Sequence, residues 1–167
     1  MSAHHDHGYR PHQAHTPQQP SGRALTRLAV SATLHCLTGC AIGEVLGMVL
    51  GTWWGWSNGA TIALAVALAF LFGYALTIWP VLRSGLPLRT AVTVALAADT
   101  VSILTMEVVD NAIMLAVPGA MEAGLAHPLF WASLAAALAI AFAVTVPVNR
   151  AMIGRGKGHA VVHQYHH

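Results

Sequence analysis

Four long apolar runs, separated by short links, constrain this chain more than any other feature of its sequence. An α-helix rises about 1.5 Å per residue, so a run of about 20 residues crosses the roughly 30 Å hydrocarbon core of a bilayer. The runs predict transmembrane helices at 28–50, 60–81, 90–117 and 128–148. We therefore expect an all-α protein, a four-helix bundle in the lipid bilayer.

Composition and charge agree with a membrane protein and orient the chain. The sequence is 56% hydrophobic and 8% charged, a combination that soluble domains rarely show. Lys and Arg lie before the first run, between the second and third, and after the fourth, whereas the other two links have none. The positive-inside rule then predicts that both termini are cytoplasmic. The basic residues border the apolar runs, a pattern that does not indicate nucleic-acid binding.

The chain divides into three parts by composition. Residues 1–27 are rich in His, Pro and Gln and lack the apolar core of a signal peptide, so we expect a disordered tail and an uncleaved first helix. Residues 28–149 form the predicted transmembrane domain, and 150–167 form a basic tail that also contains histidines. Those histidines either concentrate a metal near the membrane or are simply solvated, and composition leaves both interpretations open.

Short motifs recur between the two halves of the predicted domain. Residues 43–46 resemble 106–109, and residues 80–83 resemble 147–150. Such recurrence is typical of two helical hairpins repeated in parallel. In that arrangement the first and third helices are equivalent, and these two helices carry the unusual polar residues.

The first predicted helix carries two unusual rows, since side chains four residues apart share one face of a helix. One row combines two thiols, a carboxylate and a thioether: Cys36, Cys40, Glu44 and Met48. The neighbouring row consists of glycines: Gly39, Gly43, Gly47 and Gly51. Glycine rows allow another helix to approach closely, so we expect a homo-oligomer that forms through this face. The two cysteines are poorly aimed for a disulfide and are candidate metal ligands or reactive thiols.

The third predicted helix carries acids among its apolar residues, and their depth can be compared with that of the first helix. Both helices run from the cytoplasmic side outwards, so residues are counted from the same side. The comparison places His35 and Cys36 level with Asp99. It places Glu44 and Met48 level with a second group: Met106, Glu107 and Asp110.

Buried carboxylates need compensation in a membrane. Each one near the bilayer centre costs about 2.5 to 3.5 kcal/mol on insertion scales. The four acids of the predicted spans have no Lys or Arg beside them, and His35 is the one basic side chain at that depth. We therefore expect these acids to be protonated, hydrogen-bonded or neutralised by a cation.

Cys, Met and His beside the acids make a soft to borderline ligand set, which favours copper first, with zinc or iron as alternatives. The candidate metal ligands are nine: His35, Cys36, Cys40, Glu44, Met48, Asp99, Met106, Glu107 and Asp110. The alternative interpretation is packing, because cysteine and methionine fill apolar gaps and glycine rows often serve helix contact alone.

Several motifs in order, HCLTGCAIGE, TMEVVDN, PGAM and PVNR followed by GRGKGHA, resemble a bacterial four-helix membrane family catalogued only as a domain of unknown function. The resemblance covers about residues 28–165. It implies a four-helix fold in a bacterial inner membrane and no mechanism. Copper-related labels on some members of that family add slight support for copper.

The leading hypothesis is metal handling or transport by a transition-metal site inside the bundle, and the sequence leaves an enzymatic role open. A second hypothesis is a membrane thiol oxidoreductase in which Cys36 and Cys40 exchange electrons with a quinone. Three residues lie between these cysteines, whereas two separate the usual redox pair, and this difference argues against the oxidoreductase hypothesis. A third is a proton or cation conductor that uses the buried acids alone, and a fourth is a scaffold whose acids serve assembly.

Overall fold

The computed structural model describes residues 21–83 and 85–155, and four helices account for most of them. These are α1 (Gly22–Trp54), α2 (Asn58–Arg83), α3 (Leu88–Ala116) and α4 (Pro128–Gly154). Each is long and apolar enough to cross a membrane, and the described part of the chain has no strand. The predicted all-α, four-helix transmembrane fold is confirmed. Most of the two predicted tails, 1–20 and 156–167, lies outside the described residues.

The helices extend beyond the apolar runs that predict them. The largest differences are in α1, which begins at Gly22 instead of 28, and in α4, which ends at Gly154 instead of 148. Apolar pattern marks the part of a helix that lies in lipid, whereas backbone hydrogen bonds continue through the polar residues at its ends. The predicted boundaries at 27 and 149 therefore fall inside helices.

The four helices pack as a closed bundle. Each helix contacts the next along the chain, α1 also packs against α4, and α1 meets α3 across the interior. Short links make consecutive helices antiparallel, so the arginines gather at one end of the bundle, here called the basic end: Arg23, Arg27, Arg83, Arg89, Arg150 and Arg155. The α1–α2 and α3–α4 links form the opposite end, here called the link end.

Exposed tryptophans mark both ends of the bundle. Trp53, Trp54 and Trp56 lie at the link end, and Trp53 is 80% exposed. Trp79 is exposed near the basic end, where the guanidinium carbon of Arg83 lies 4.8 Å from its ring centroid. Tryptophan favours the two interfaces of a bilayer, so the membrane core is expected to cover the apolar surface between these belts.

The glycine row of α1 packs against α2 in the same chain. A Cβ built at Gly39 would lie 2.7 Å from the Cα of Gly73, and one at Gly47 would lie 2.5 Å from the Cα of Ala65. The facing side of α2 is an unbroken row four residues apart: Thr61, Ala65, Ala69, Gly73, Thr77 and Val81. The face expected to join two copies is therefore occupied within the chain. Association of copies stays a prediction without an assigned surface.

Candidate functional site

All four acids of the spans point into the bundle. Glu44 is 5% exposed, Asp99 1%, Glu107 3% and Asp110 2%. Had they faced headgroup water at either end, no intramembrane site would exist. Their burial leaves the question of what each carboxyl group meets.

Glu44 of α1 and Asp110 of α3 face each other in the half of the bundle nearer the link end. Both line a small cavity of about 20 Å³. That space accommodates a single water molecule or a monatomic ion. The depth comparison made from the sequence places these two acids at the same level, and the structure brings them together.

Sulfur and amide groups complete the wall of this cavity. Met48 of α1, Met114 of α3 and Met121 of the α3–α4 link contribute thioethers, and Asn111 contributes a side-chain amide. We call the six groups the candidate cation site: Glu44, Met48, Asp110, Asn111, Met114 and Met121. The remaining lining is apolar and includes Phe130 and Leu134 of α4.

Helix geometry explains why these side chains converge. On α3, Met106, Asp110 and Met114 are four residues apart and share one face towards the interior. On α1, Gly43 packs against the Ala69 backbone, and the next residue, Glu44, lies beside that contact on the buried side. The close approach of α1 to α2 therefore fixes the position of Glu44.

Several carboxyl oxygens near this site have no hydrogen-bond donor in the described part of the chain, although the adjoining carboxyl groups of Glu44 and Asp110 can share a proton. These oxygens are both oxygens of Glu44, Oε1 of Glu107 and Oδ1 of Asp110. The other oxygen of Glu107 lies 3.4 Å from Nδ2 of Asn111, which also donates to the Glu107 carbonyl at 2.9 Å. Buried polar atoms are normally satisfied, so this group of orphaned oxygens calls for a proton or a cation.

The two thiols lie in the next layer towards the basic end. Cys36 and Cys40 are 1% and 0% exposed, and both are free. The side chain of Cys40 lies against both Cys36 and Glu107, and Met106 packs into the same cluster. These four predicted ligands are thus close to one another and adjacent to the candidate cation site, without lining its cavity.

His35 and Asp99 form a third layer through a residue that sequence reasoning missed. His35 Nε2 is 3.1 Å from Oγ1 of Thr77 on α2, and the side chain of Thr77 also lies against Asp99. Thr77 joins the imidazole and the carboxyl group at the level where the sequence predicts both. The sequence feature that could have indicated Thr77 is the small-residue row of α2, where a threonine follows alanines and a glycine at four-residue spacing.

A fourth polar cluster, which sequence reasoning also missed, links three helices at about the depth of the His35–Asp99 layer. Asn149 Nδ2 of α4 donates to Thr33 Oγ1 of α1 at 2.9 Å, and the Ser102 hydroxyl of α3 donates to Asn149 Oδ1. All three side chains are buried. Asn149 falls at the end of the predicted fourth helix, where a polar residue is unremarkable, so its burial was not predicted.

The nine predicted ligands therefore occupy three layers, whereas the depth comparison predicts two. Met106 and Glu107 join the two cysteines in a middle layer instead of lying level with Glu44. No group of three or more His, Cys, Asp and Glu side chains within 21–83 and 85–155 has the arrangement of a metal site. The cavity that Glu44 and Asp110 line also has methionines and an amide residue in its wall, which is a different donor set. Binding of copper, zinc or iron stays a prediction.

The matched family model covers all of α2, α3 and α4 and most of α1. It is the model of the domain of unknown function DUF4396, and it matches residues 26–158. The chain belongs to this family. In this DUF4396 protein the matched range contains every residue of the three layers described above. The expected membership of a family of unknown function is confirmed, and the match ends at residue 158 instead of about 165. No curated protein and no solved structure matches the chain.

Proposed function

We propose that this DUF4396 protein binds a cation between Glu44 and Asp110 and moves it across the membrane or holds it there. The observation that carries the proposal is the small cavity that Glu44 and Asp110 line together with three methionines, beside carboxyl oxygens to which no described group donates. A cation that enters this cavity meets negative charge and soft donors together.

The charge balance of the interior supports a cation. Each ionised carboxylate at this depth costs about 2.5 to 3.5 kcal/mol on insertion scales, and the described arginines all lie at the basic end. Either protons or a bound cation must therefore offset the charge of Glu44 and Asp110. A cation that replaces those protons makes its binding, and any movement that follows, dependent on proton release.

The sulfur donors favour a soft cation, with copper first and zinc or iron as alternatives. Thioether sulfur selects Cu(I), whereas magnesium and calcium prefer an all-oxygen shell. Met48, Met114 and Met121 bring neutral sulfur to the cavity from α1, α3 and a link. One Cu(I) ion together with one retained proton would neutralise the two carboxylates. The thiols and Glu107 lie in the next layer, where a cation that moves towards the basic end would meet them.

Metal content of the purified protein tests this proposal. The full chain is expressed with added copper, zinc and iron, purified in detergent without chelator, and analysed by inductively coupled plasma mass spectrometry. We expect a single bound ion per wild-type chain and loss of most of it in Glu44→Gln/Asp110→Asn. Glu122→Gln is the matched control, because Glu122 is an exposed acid in the α3–α4 link outside the site. A metal-free wild-type protein would contradict the proposal.

A second candidate function, proton transfer, is favoured by the vertical order of the buried polar groups. The His35–Thr77–Asp99 layer, the thiol layer and the Glu44–Asp110 pair follow one another from the basic end towards the link end, and the Asn149 cluster overlaps the first of these in depth. Rows of titratable groups inside a bundle are typical of proton relays. Proteoliposomes that contain a pH-sensitive dye test it: Asp99→Asn should slow proton entry, and unchanged flux would rule out this route.

Electron exchange between the thiols and a quinone is the third candidate. The carboxyl oxygens without donors do not favour it, because this reaction does not use the acids. Cys36 and Cys40 are almost completely buried, which limits access of a reaction partner to either sulfur.

We also propose, from the distribution of Arg and Lys, that the basic end faces the cytoplasm.

A further inference from the structure

An open groove lies outside the bundle at its basic end. It has a volume of about 670 Å³, within the range of about 300–1,000 Å³ that is usual for ligand pockets. Its lining comes almost entirely from one stripe of α1, and α4 contributes one arginine: Gly22, Arg23, Thr26, Arg27, Val30, Ser31, Leu34 and Arg150. The groove is separate from the layers inside the bundle.

One end of the groove is strongly cationic. Arg23 and Arg27 are one helical turn apart on α1, and Arg150 reaches the same place from α4. Every acid of the described residues lies elsewhere, since four are inside the bundle and Glu122 is in the α3–α4 link at the opposite end. The three guanidinium groups therefore share a surface that holds no described carboxylate.

The first turn of α1 adds donors to the same place. Gly22 lines the groove, and the N-cap residue Ser21 makes no side-chain hydrogen bond to the first turn. Backbone N–H groups at a helix start lack intrahelical partners and favour anions. Arginine side chains bind phosphate through two parallel hydrogen bonds. Together these groups match a phosphate.

The other end of the groove is apolar and lies on the outer surface of the bundle. Val30 and Leu34 continue the stripe of α1 away from its start, and Leu34 is 50% exposed. A free phosphate has nothing to place against these side chains, whereas a phospholipid has an acyl chain. The order of cationic and apolar residues along α1 is the order of headgroup and chain in one leaflet.

We propose that this groove binds one anionic phospholipid, with its phosphate held by Arg23, Arg27 and Arg150 and an acyl chain against Val30 and Leu34. Basic pockets at the cytoplasmic side of transmembrane helices commonly bind anionic headgroups. The site ties α4 to the start of α1, two elements that the lipid would hold together at the basic end. This proposal does not depend on the proposed cation site.

Native mass spectrometry of the detergent-solubilised full chain tests the proposal. The protein is titrated separately with dioleoylphosphatidylglycerol and dioleoylphosphatidylcholine. We expect one bound phosphatidylglycerol at concentrations where phosphatidylcholine stays unbound. The triple variant Arg23→Gln/Arg27→Gln/Arg150→Gln should bind phosphatidylglycerol at least about tenfold more weakly, since each arginine near an anionic lipid contributes substantially to affinity.

A matched variant separates a built site from diffuse attraction. Arg83→Gln/Arg89→Gln/Arg155→Gln removes the same charge from the basic end and leaves the groove intact, so it should retain phosphatidylglycerol binding. Equal weakening in both triple variants, equal binding of the two lipids, or no bound lipid would overturn the proposal. If glycerol 1-phosphate displaces phosphatidylglycerol at equal concentration, the acyl chain does not contribute to binding, and the groove is a phosphate site. If the groove triple variant does not fold, Arg150→Gln alone is compared with Arg155→Gln under the same criteria.

Discussion

Gly43→Ala tests whether the close contact of α1 with α2 positions the interior of the bundle. The added Cβ would lie 2.5 Å from the Cα of Ala69 and 2.7 Å from the carbonyl carbon of Leu68. Carbon atoms normally meet at about 3.5–4.0 Å, so the two helices must separate by about 1 Å. The opposing atoms are backbone and cannot rotate away.

The expected magnitude is the difference of two effects. Overpacking of this kind costs about 1–3 kcal/mol, whereas replacing a helical glycine by alanine stabilises by about 0.5–1 kcal/mol. We expect a net loss of about 1–2 kcal/mol in the free energy of unfolding, which is about a factor of 5 to 30 in the folded-to-unfolded ratio. The candidate cation site should also loosen, because Glu44 follows Gly43 directly.

The free energy of unfolding is measured by reversible unfolding in mixed micelles, followed by tryptophan fluorescence. Two further variants serve as controls in this assay. Gly59→Ala has nothing within 4 Å of the new Cβ, so it should be neutral or stabilising. Gly73→Ala meets only the flexible side chain of Ile103 and should lie between the two. If Gly43→Ala proves as stable as Gly59→Ala, the close packing described for α1 and α2 is wrong.

Three other predictions follow from the buried polar groups. Asn149→Ala should lower the free energy of unfolding by about 1–3 kcal/mol in the same assay, since the buried Ser102 hydroxyl loses its acceptor and Thr33 keeps only its bond to the Ala29 carbonyl; an unchanged free energy would show that this cluster does not stabilise the bundle. Cys36 and Cys40 should resist maleimide labelling in the native protein and react after denaturation, as read by mass spectrometry, and fast native labelling would favour the thiol hypothesis. Cation affinity should fall as pH falls, because protons compete for the two carboxylates of the candidate cation site; calorimetric titrations that show tighter binding in acid would contradict this.

The fold could be predicted because the membrane restricts what a polypeptide can do. Backbone groups in lipid must be satisfied within each segment, so four apolar runs of sufficient length predict four helices. The ends of the helices were harder to predict from the sequence. Residues 22–27 and 149–154 are polar or mixed, and they continue α1 and α4 beyond the apolar runs, so the apolar pattern does not predict them.

Part of the candidate site was also accessible from the sequence, because depth in a membrane can be counted. Two helices that run in the same direction rise equally per residue, which places Glu44 level with Asp110. Counting residues gives depth, but it does not predict which helix packs against a given helix face. The glycine row indicated close contact but not its partner, and α2 offers a complementary small-residue row that joins it within the chain.

Three of the residues that were missed come from elements that the depth comparison did not include. Met121 lies in the α3–α4 link, and Thr77 and Asn149 lie on α2 and α4. Each looks ordinary in its own segment, where a methionine, a threonine or an asparagine near a helix end is common. Their roles depend on which helices meet across the bundle, and that is a property of tertiary packing.

X-ray absorption spectroscopy on protein labelled with selenomethionine and loaded with Cu(I) tests the central claim most directly. A cation between Glu44 and Asp110 should show both selenium and oxygen neighbours at the copper edge, because Met48, Met114 and Met121 line the same cavity as the two acids. Both signals should disappear in Glu44→Gln/Asp110→Asn and persist in Glu122→Gln. A copper shell of nitrogen or thiolate sulfur without selenium would place the metal at the histidine tails or the cysteines, and would contradict a cation site between these two carboxyl groups.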